Sequence, residues 1–150
     1  MPGASHVDES VLITYDNMVE IRTTTATDGT EVVAIEPGLH WGDVYTYTDQ
    51  FNKTQVTGRF YPLGIGLALG VGFSFLSNAH GFATHNGYSF EIALADDRIV
   101  TASQTSNSDL YKAQKRGGNN FGIVARYNQR IFKAERLWEE NQTEDWLGLT

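Results

Sequence analysis

The sequence predicts an α+β fold: a mixed or antiparallel sheet with a few short helices on it. Three observations carry that expectation. Apolar and β-branched residues alternate with period two in several short runs, which is the signature of half-buried strands. Turn dipeptides such as Asp28-Gly29 and Asp96-Asp97 join pairs of these runs. Stretches with helical spacing stand singly between them instead of alternating regularly with strands, which argues against a doubly wound parallel sheet.

In chain order, the first strand is expected near residues 18–25, where Met18, Glu20 and Arg22 oppose Val19 and Ile21. A second, at 31–36, is β-branched and apolar, and Asp28-Gly29 makes the two a hairpin that Pro37-Gly38 ends. Trp41, Val44, Tyr45 and Tyr47 or Thr48 recur at helical spacing, with Asp43 placed to suit the helix dipole, so a helix is expected over 40–51. Glycines follow at 58, 64, 66, 70 and 72, and a brief helix at 73–79 closes on His80-Gly81. A second hairpin pairs 88–95 with 98–103 around Asp96-Asp97. Asn107, Ser108 and Asp109 offer capping oxygens to a helix over 109–115, which Gly117-Gly118 stops. A last strand spans 122–132. Residues 134–150 are charged, carry Trp138 and Trp146, and read as a loose helical tail.

Composition narrows the functions. The 150 residues suit one domain, with 41% apolar and 19% charged residues, a globular balance. A net charge of −7 repels phosphate backbones and anionic membranes, so neither nucleic acid nor a membrane is an expected partner. A dinucleotide is still compatible, because backbone N–H groups hold a pyrophosphate without lysine or arginine. There is no cysteine, which removes thiolate nucleophiles and zinc-thiolate sites. No signal-peptide core follows the polar start, and the apolar run 61–76 is too short and too glycine-rich to span a membrane. A cytoplasmic protein is therefore expected, and the sequons at Asn52 and Asn141 are read as chance.

Candidate chemistry from side chains alone is sparse. His80 and His85 with Asp96 or Asp97 form the only arrangement that resembles a metal site, and surface loop histidines explain them better, so no metal is expected. Asp96-Asp97 reads as a solvated turn, and there is no Gly-x-Ser-x-Gly elbow. Gly64-x-Gly66-x-x-x-Gly70 has the wrong spacing for a Rossmann fingerprint. What these glycines do offer is a backbone without Cβ atoms that can lie against a flat ring or a diphosphate.

Four segments, in order, resemble one family. They are Glu36 to Tyr45 (Glu-Pro-Gly-Leu-His-Trp-Gly-Asp-Val-Tyr); Gly58-Arg59 with Leu63 to Ser74; Gly81 to Asn86 with Glu91 to Asp97; and Asp109 to Ala113 with Gly117 to Val124. Together they are similar to the second half of the FAD-binding domain of berberine bridge enzyme-like FAD-linked oxidoreductases, which have the vanillyl-alcohol oxidase and p-cresol methylhydroxylase fold. The closest variants are those of fungal secondary metabolism. The match runs over 31–133, about two thirds of the chain. Residues 1–133 are thus expected to form a partial FAD-binding subdomain and 134–150 a tail.

The resemblance implies FAD as cofactor and oxidation of a small organic substrate by hydride transfer to the flavin. It nominates Gly64, Gly66, Gly70, Gly118, Gly122 and Val124 as cofactor-binding, mostly through backbone atoms. Replacing Gly122 with valine is then expected to abolish binding while the fold persists. His85 is the only catalytic candidate, as an acid or base in a loop that runs near the flavin in the family.

The sequence also departs from the family. Its histidine-bearing glycine-rich loop would precede Met1, and its substrate domain would follow Thr150. Phe60 stands near the family's anchoring cysteine, so the flavin is expected to be non-covalent. Leu67 and Val71 replace glycines, His85 replaces an aspartate, and Asp97 a glycine. A chain of this length is expected to be too short for a whole enzyme of this kind and inactive alone. Its exposed apolar wall, including Leu67, Leu69, Phe73 and Phe75, would be covered by the tail, a homodimer or a complementing chain. A competing reading is a non-catalytic remnant or scaffold module that has lost the flavin. The Gly117 to Val124 segment favours the first reading, and the missing first subdomain favours the second.

Overall fold

In the computed structural model, residues 8–118 and 120–134 are described. The sheet is built around one long strand. In chain order the strands are β1 (Ile21–Thr25), β2 (Glu31–Ile35), β3 (Lys53–Gln55), β4 (Gly87–Ala93), β5 (Ile99–Ser103) and β6 (Ile123–Lys133). The order across the sheet is β1-β2-β6-β4-β5, and every pairing is antiparallel. With eleven residues, β6 is long enough to take β4 along one edge and β2 followed by β3 along the other.

Turn chemistry sets the hairpins. Gly29 takes a φ of +82° in the β1–β2 turn, so Ile21 faces Ile35 and Thr25 faces Glu31. Asp97 takes a φ of +64° between β4 and β5, a conformation that an aspartate tolerates better than most side chains.

Three helices lie against this frame: α1 (Trp41–Asp49), α2 (Ser77–His80) and α3 (Ser108–Gln114). At the start of α1 the His40 side chain accepts from the Asp43 N–H, while the Asp43 carboxylate accepts from the His40 N–H at 2.9 Å. Trp41, Val44 and Thr48 form its buried stripe. The Trp41 indole meets Tyr127 edge-on at 6.5 Å in a continuous core with Val33, Ile35, Phe90 and Ile92. Thr48 also donates to the buried Gln55 amide oxygen at 2.8 Å, which ties α1 to β3.

Most expected elements are present, with edges shifted by one to three residues. Two differ. β3 was not expected. The helix placed at 73–79 is only the four-residue α2, because 71–76 is not helical: Val71 and Gly72 take positive φ, and Val71, Phe73 and Phe75 are exposed while Gly72, Ser74 and Leu76 are buried. Two 3-10 turns, Ile65–Gly70 and Ala83–Asn86, complete the glycine-rich region. The expected tail, residues 134–150, lies outside the described residues except for Ala134.

Candidate functional site: an apolar cavity at one end of the sheet

A cavity of about 500 Å³ lies among the described residues. It sits where β4 ends and β6 begins. Ala93, Leu94 and Ala95 form one wall, and Gly122, Ile123 and Val124 another. Ile35 and Pro37 close it from the β2 side, and Tyr15 from the segment before β1. The 3-10 turn supplies the rest. Ile65, Gly66 and Leu69 of this turn line the cavity; Gly66 and Leu69, three apart, share one side of it, while Ile65, with Ala68, is also buried in the core.

Backbone irregularity shapes this end of the sheet. The β4–β6 ladder shifts register between Glu91 and Ile92, a bulge next to the cavity. Gly122 has a φ of +138°, and a Cβ on it would come within 2.6 Å of the Ile92 Cγ2 and 2.7 Å of the Ala93 carbonyl oxygen. The fold itself needs glycine there. The expectation that Gly122→Val spares the fold is therefore corrected: the substitution strains the chain before any ligand is considered. Gly66 is the opposite case. A Cβ built on it meets nothing within 4 Å.

Of the six residues nominated for the cofactor, Gly66, Gly122 and Val124 come together in the cavity wall. Gly64, Gly70 and Gly118 do not line it. Each still has open space where a Cβ would stand. Gly64 bridges to His40, Gly70 ends the first 3-10 turn, and Gly118 accepts from the buried Gln114 amide.

The structure does not bring His85 to the cavity. It lies in the second 3-10 turn, before β4, whereas the cavity lies beyond the far end of that strand. His85 is not among the lining residues, although Tyr127, which is, reaches the same 3-10 turn through the Ala83 carbonyl. His85 instead meets Arg116, whose guanidinium stands 3.3 Å from its Nε2. His80 stacks on Phe132 at 4.1 Å.

Polar groups near the cavity are few. Burial pushes the Tyr127 phenol well above its ordinary range, so it remains protonated and donates to the Ala83 carbonyl at 3.2 Å. No charged side chain is among the lining residues. Arg126 points to the opposite face, where it meets Glu20, Glu36 and Glu91 at 3.3, 3.0 and 3.5 Å. Away from the cavity, desolvation aided by Arg130 lowers the Lys115 ammonium to about 8.

Sequence reasoning missed Tyr15, Pro37, Leu69 and the Ala93 to Ala95 wall as cavity residues. Pro37, Leu69 and Ala93 to Ala95 lie inside segments that had been quoted for the resemblance. Tyr15 carried no signal, because it reaches the cavity only through the packing of the segment before β1, where Gly38 donates to the Met18 carbonyl at 2.9 Å.

A cavity of this size, apolar and walled partly by bare backbone, fits a flat aromatic group such as either end of a flavin dinucleotide. No family model matches the sequence. Known proteins do. The FAD-dependent monooxygenase tpcD of Cochliobolus heterostrophus is 37% identical over 92% of this chain and 26% of its own length. The bifunctional solanapyrone synthase of Alternaria solani is 40% identical over 89% of the chain and 25% of its own length. The solved 6-hydroxy-D-nicotine oxidase of Arthrobacter nicotinovorans superposes with a TM-score of 0.79 at 26% identity, covering 87% of this chain and 28% of its own. Vanillyl-alcohol oxidase-type and berberine bridge enzyme-like flavoproteins are further structural neighbours. The chain spans about a quarter of the length of the relatives it matches.

Proposed function

Since the chain is homologous to one segment of the FAD-linked oxidoreductases with the vanillyl-alcohol oxidase fold, we propose that it binds FAD non-covalently and serves as the cofactor-holding part of such an oxidoreductase. One observation carries the reading: Gly66, Gly122 and Val124, far apart in sequence, meet in the wall of one apolar cavity.

Bound FAD would supply the redox chemistry by accepting a hydride from an organic substrate. The chain's own part is to hold and to shield. Gly66 offers bare backbone, and Ile35, Leu69 and Val124 exclude water from a flat ring laid between them. Gly64 and Gly70, in the same 64–72 run, also leave open space where a Cβ would stand, so backbone there would be accessible to the rest of the dinucleotide. Among the described residues the cavity wall holds no carboxylate, imidazole or ammonium, and its phenols are Tyr15 and Tyr127, the latter already donating to the Ala83 carbonyl. The groups that act on substrate are therefore assigned to a complementing part of the enzyme, and the chain by itself is proposed to have no turnover. The absence of cysteine, and of His85 from the cavity lining, supports the non-covalent reading.

Calorimetric titration of FAD into the wild type and into Gly66→Val tests this. A Cβ on Gly66 meets nothing within 4 Å, so saturable binding in the wild type and its loss in the variant, at an unchanged melting temperature, are expected. Equal affinity in the two proteins would remove the cavity from the reading.

A further inference from the structure

Val71 is the strained residue of the glycine-rich surface. Its backbone sits at φ +104° and ψ −62°, a region that a β-branched side chain avoids because its Cβ crowds the flanking peptide. Such strain persists only where the surroundings hold it. Here two hydrogen bonds do so: the Thr84 N–H donates to the Val71 carbonyl at 3.0 Å, and the Ala83 N–H to the Gly72 carbonyl at 2.8 Å. Gly72, at φ +67°, is locked in turn, since a Cβ on it would stand 2.6 Å from the Ala83 Cβ. The loop cannot relax without giving up its contact with the second 3-10 turn.

The strain has a consequence for the surface. Gly64, Gly66 and Gly70 present bare backbone with open space above them. At the end of this strip the chain raises an isopropyl group that is 39% exposed. A glycine would adopt the same backbone without penalty and would leave the strip flat.

We propose that Val71 sets the affinity of this surface for a planar cofactor: the backbone is held in a glycine conformation, and the valine side chain stands where a flat ring or a diphosphate would lie. This rests on the flavin reading above. Val71 weakens the grip and costs stability at the same time, so both are recovered together when it is replaced by glycine. Alanine separates the two effects. It removes most of the bulk but, as an L residue, keeps most of the backbone strain.

The test compares wild type, Val71→Ala and Val71→Gly by thermal melting without ligand and by titration with FAD, read as quenching of flavin fluorescence. Val71→Gly is expected to melt roughly 4 °C or more above wild type and to bind FAD roughly tenfold more tightly. Val71→Ala is expected to gain most of the affinity with little of the melting shift. If Val71→Gly melts no higher than wild type, the strain is not real and the proposal fails. If wild type binds FAD and Val71→Gly binds it no better, the steric role fails while the flavin reading stands. If none of the three binds FAD, both fall.

Discussion

Gly122 and Gly66 both belong to the cavity wall, but substitution acts on them through different physics. A side chain at Gly122 collides with Ile92 and the Ala93 carbonyl in a positive-φ conformation, so Gly122→Val is expected to destabilise the protein by more than about 2 kcal/mol, seen as a lowered denaturant midpoint without ligand. Gly66→Val is expected to leave that midpoint unchanged and to act on the ligand alone. The glycine pattern is readable in the sequence, but which glycines the backbone needs and which the ligand needs is not, because φ and the distance to a neighbouring strand are tertiary properties. Lys115 gives a test in pH. Its folded-state value of about 8 lies below the ordinary 10.5, so the unfolded chain binds more protons between those values and stability from this group rises with pH across that window. Replacing Lys115 with methionine is expected to stabilise the protein at pH 7, and the gap from wild type is expected to close by about pH 10.5. A gap that stays constant would show that the ammonium is not desolvated.

At the scale of elements, Arg126 ties the sheet together on the face away from the core. It projects from β6 to Glu91 on β4, to Glu36 just after β2 and to Glu20 just before β1. Its Glu36 partner is only 14% exposed, so this network is worth more than an ordinary surface pair. Arg126→Met leaves three carboxylates facing one another. It is expected to cost about 1–2 kcal/mol, and the loss is expected to lie mainly in the β1–β2 hairpin, read by hydrogen exchange at Ile21 to Thr25. Uniform loss of protection across the sheet would contradict that placement. Elements were legible where a period was long enough to see. The hairpins announced themselves through Asp28-Gly29 and Asp96-Asp97. β3 did not, since three residues show no alternation and the strand exists only because β6 continues past β2. The 73–79 stretch was misread because Phe73 and Phe75 alternate with Ser74, a strand-like period, and the helix begins only at Ser77.

At the scale of the molecule, the described surface carries unusually many bare aromatics. Phe60, Tyr61, Phe73 and Phe75 are each more than half exposed, and Arg59 lies over both the Phe73 and Phe75 rings. Of the wall expected from sequence, Phe73 and Phe75 face solvent while Leu67 and Leu69 are half buried. Apolar surface of this kind costs roughly 25 cal/mol per Å² in water. We propose that a second copy or a complementing chain covers it. Sedimentation is expected to show concentration-dependent association that Phe73→Ser with Phe75→Ser weakens, and a monomer at every concentration would exclude a self-complementary face. The sheet could be read from the sequence, because local motifs encode its turns, and three of the nominated residues, Gly66, Gly122 and Val124, meet in one cavity wall. Tyr15 and the absence of His85 from the cavity lining could not, because they depend on how separate segments pack. The central claim is that this cavity holds FAD, and the visible spectrum of the protein purified from a flavin-replete host tests it most directly. A flavin band that stays with the folded protein and passes entirely to the filtrate on denaturation is expected. A colourless protein that takes up no FAD when it is added in excess would contradict it.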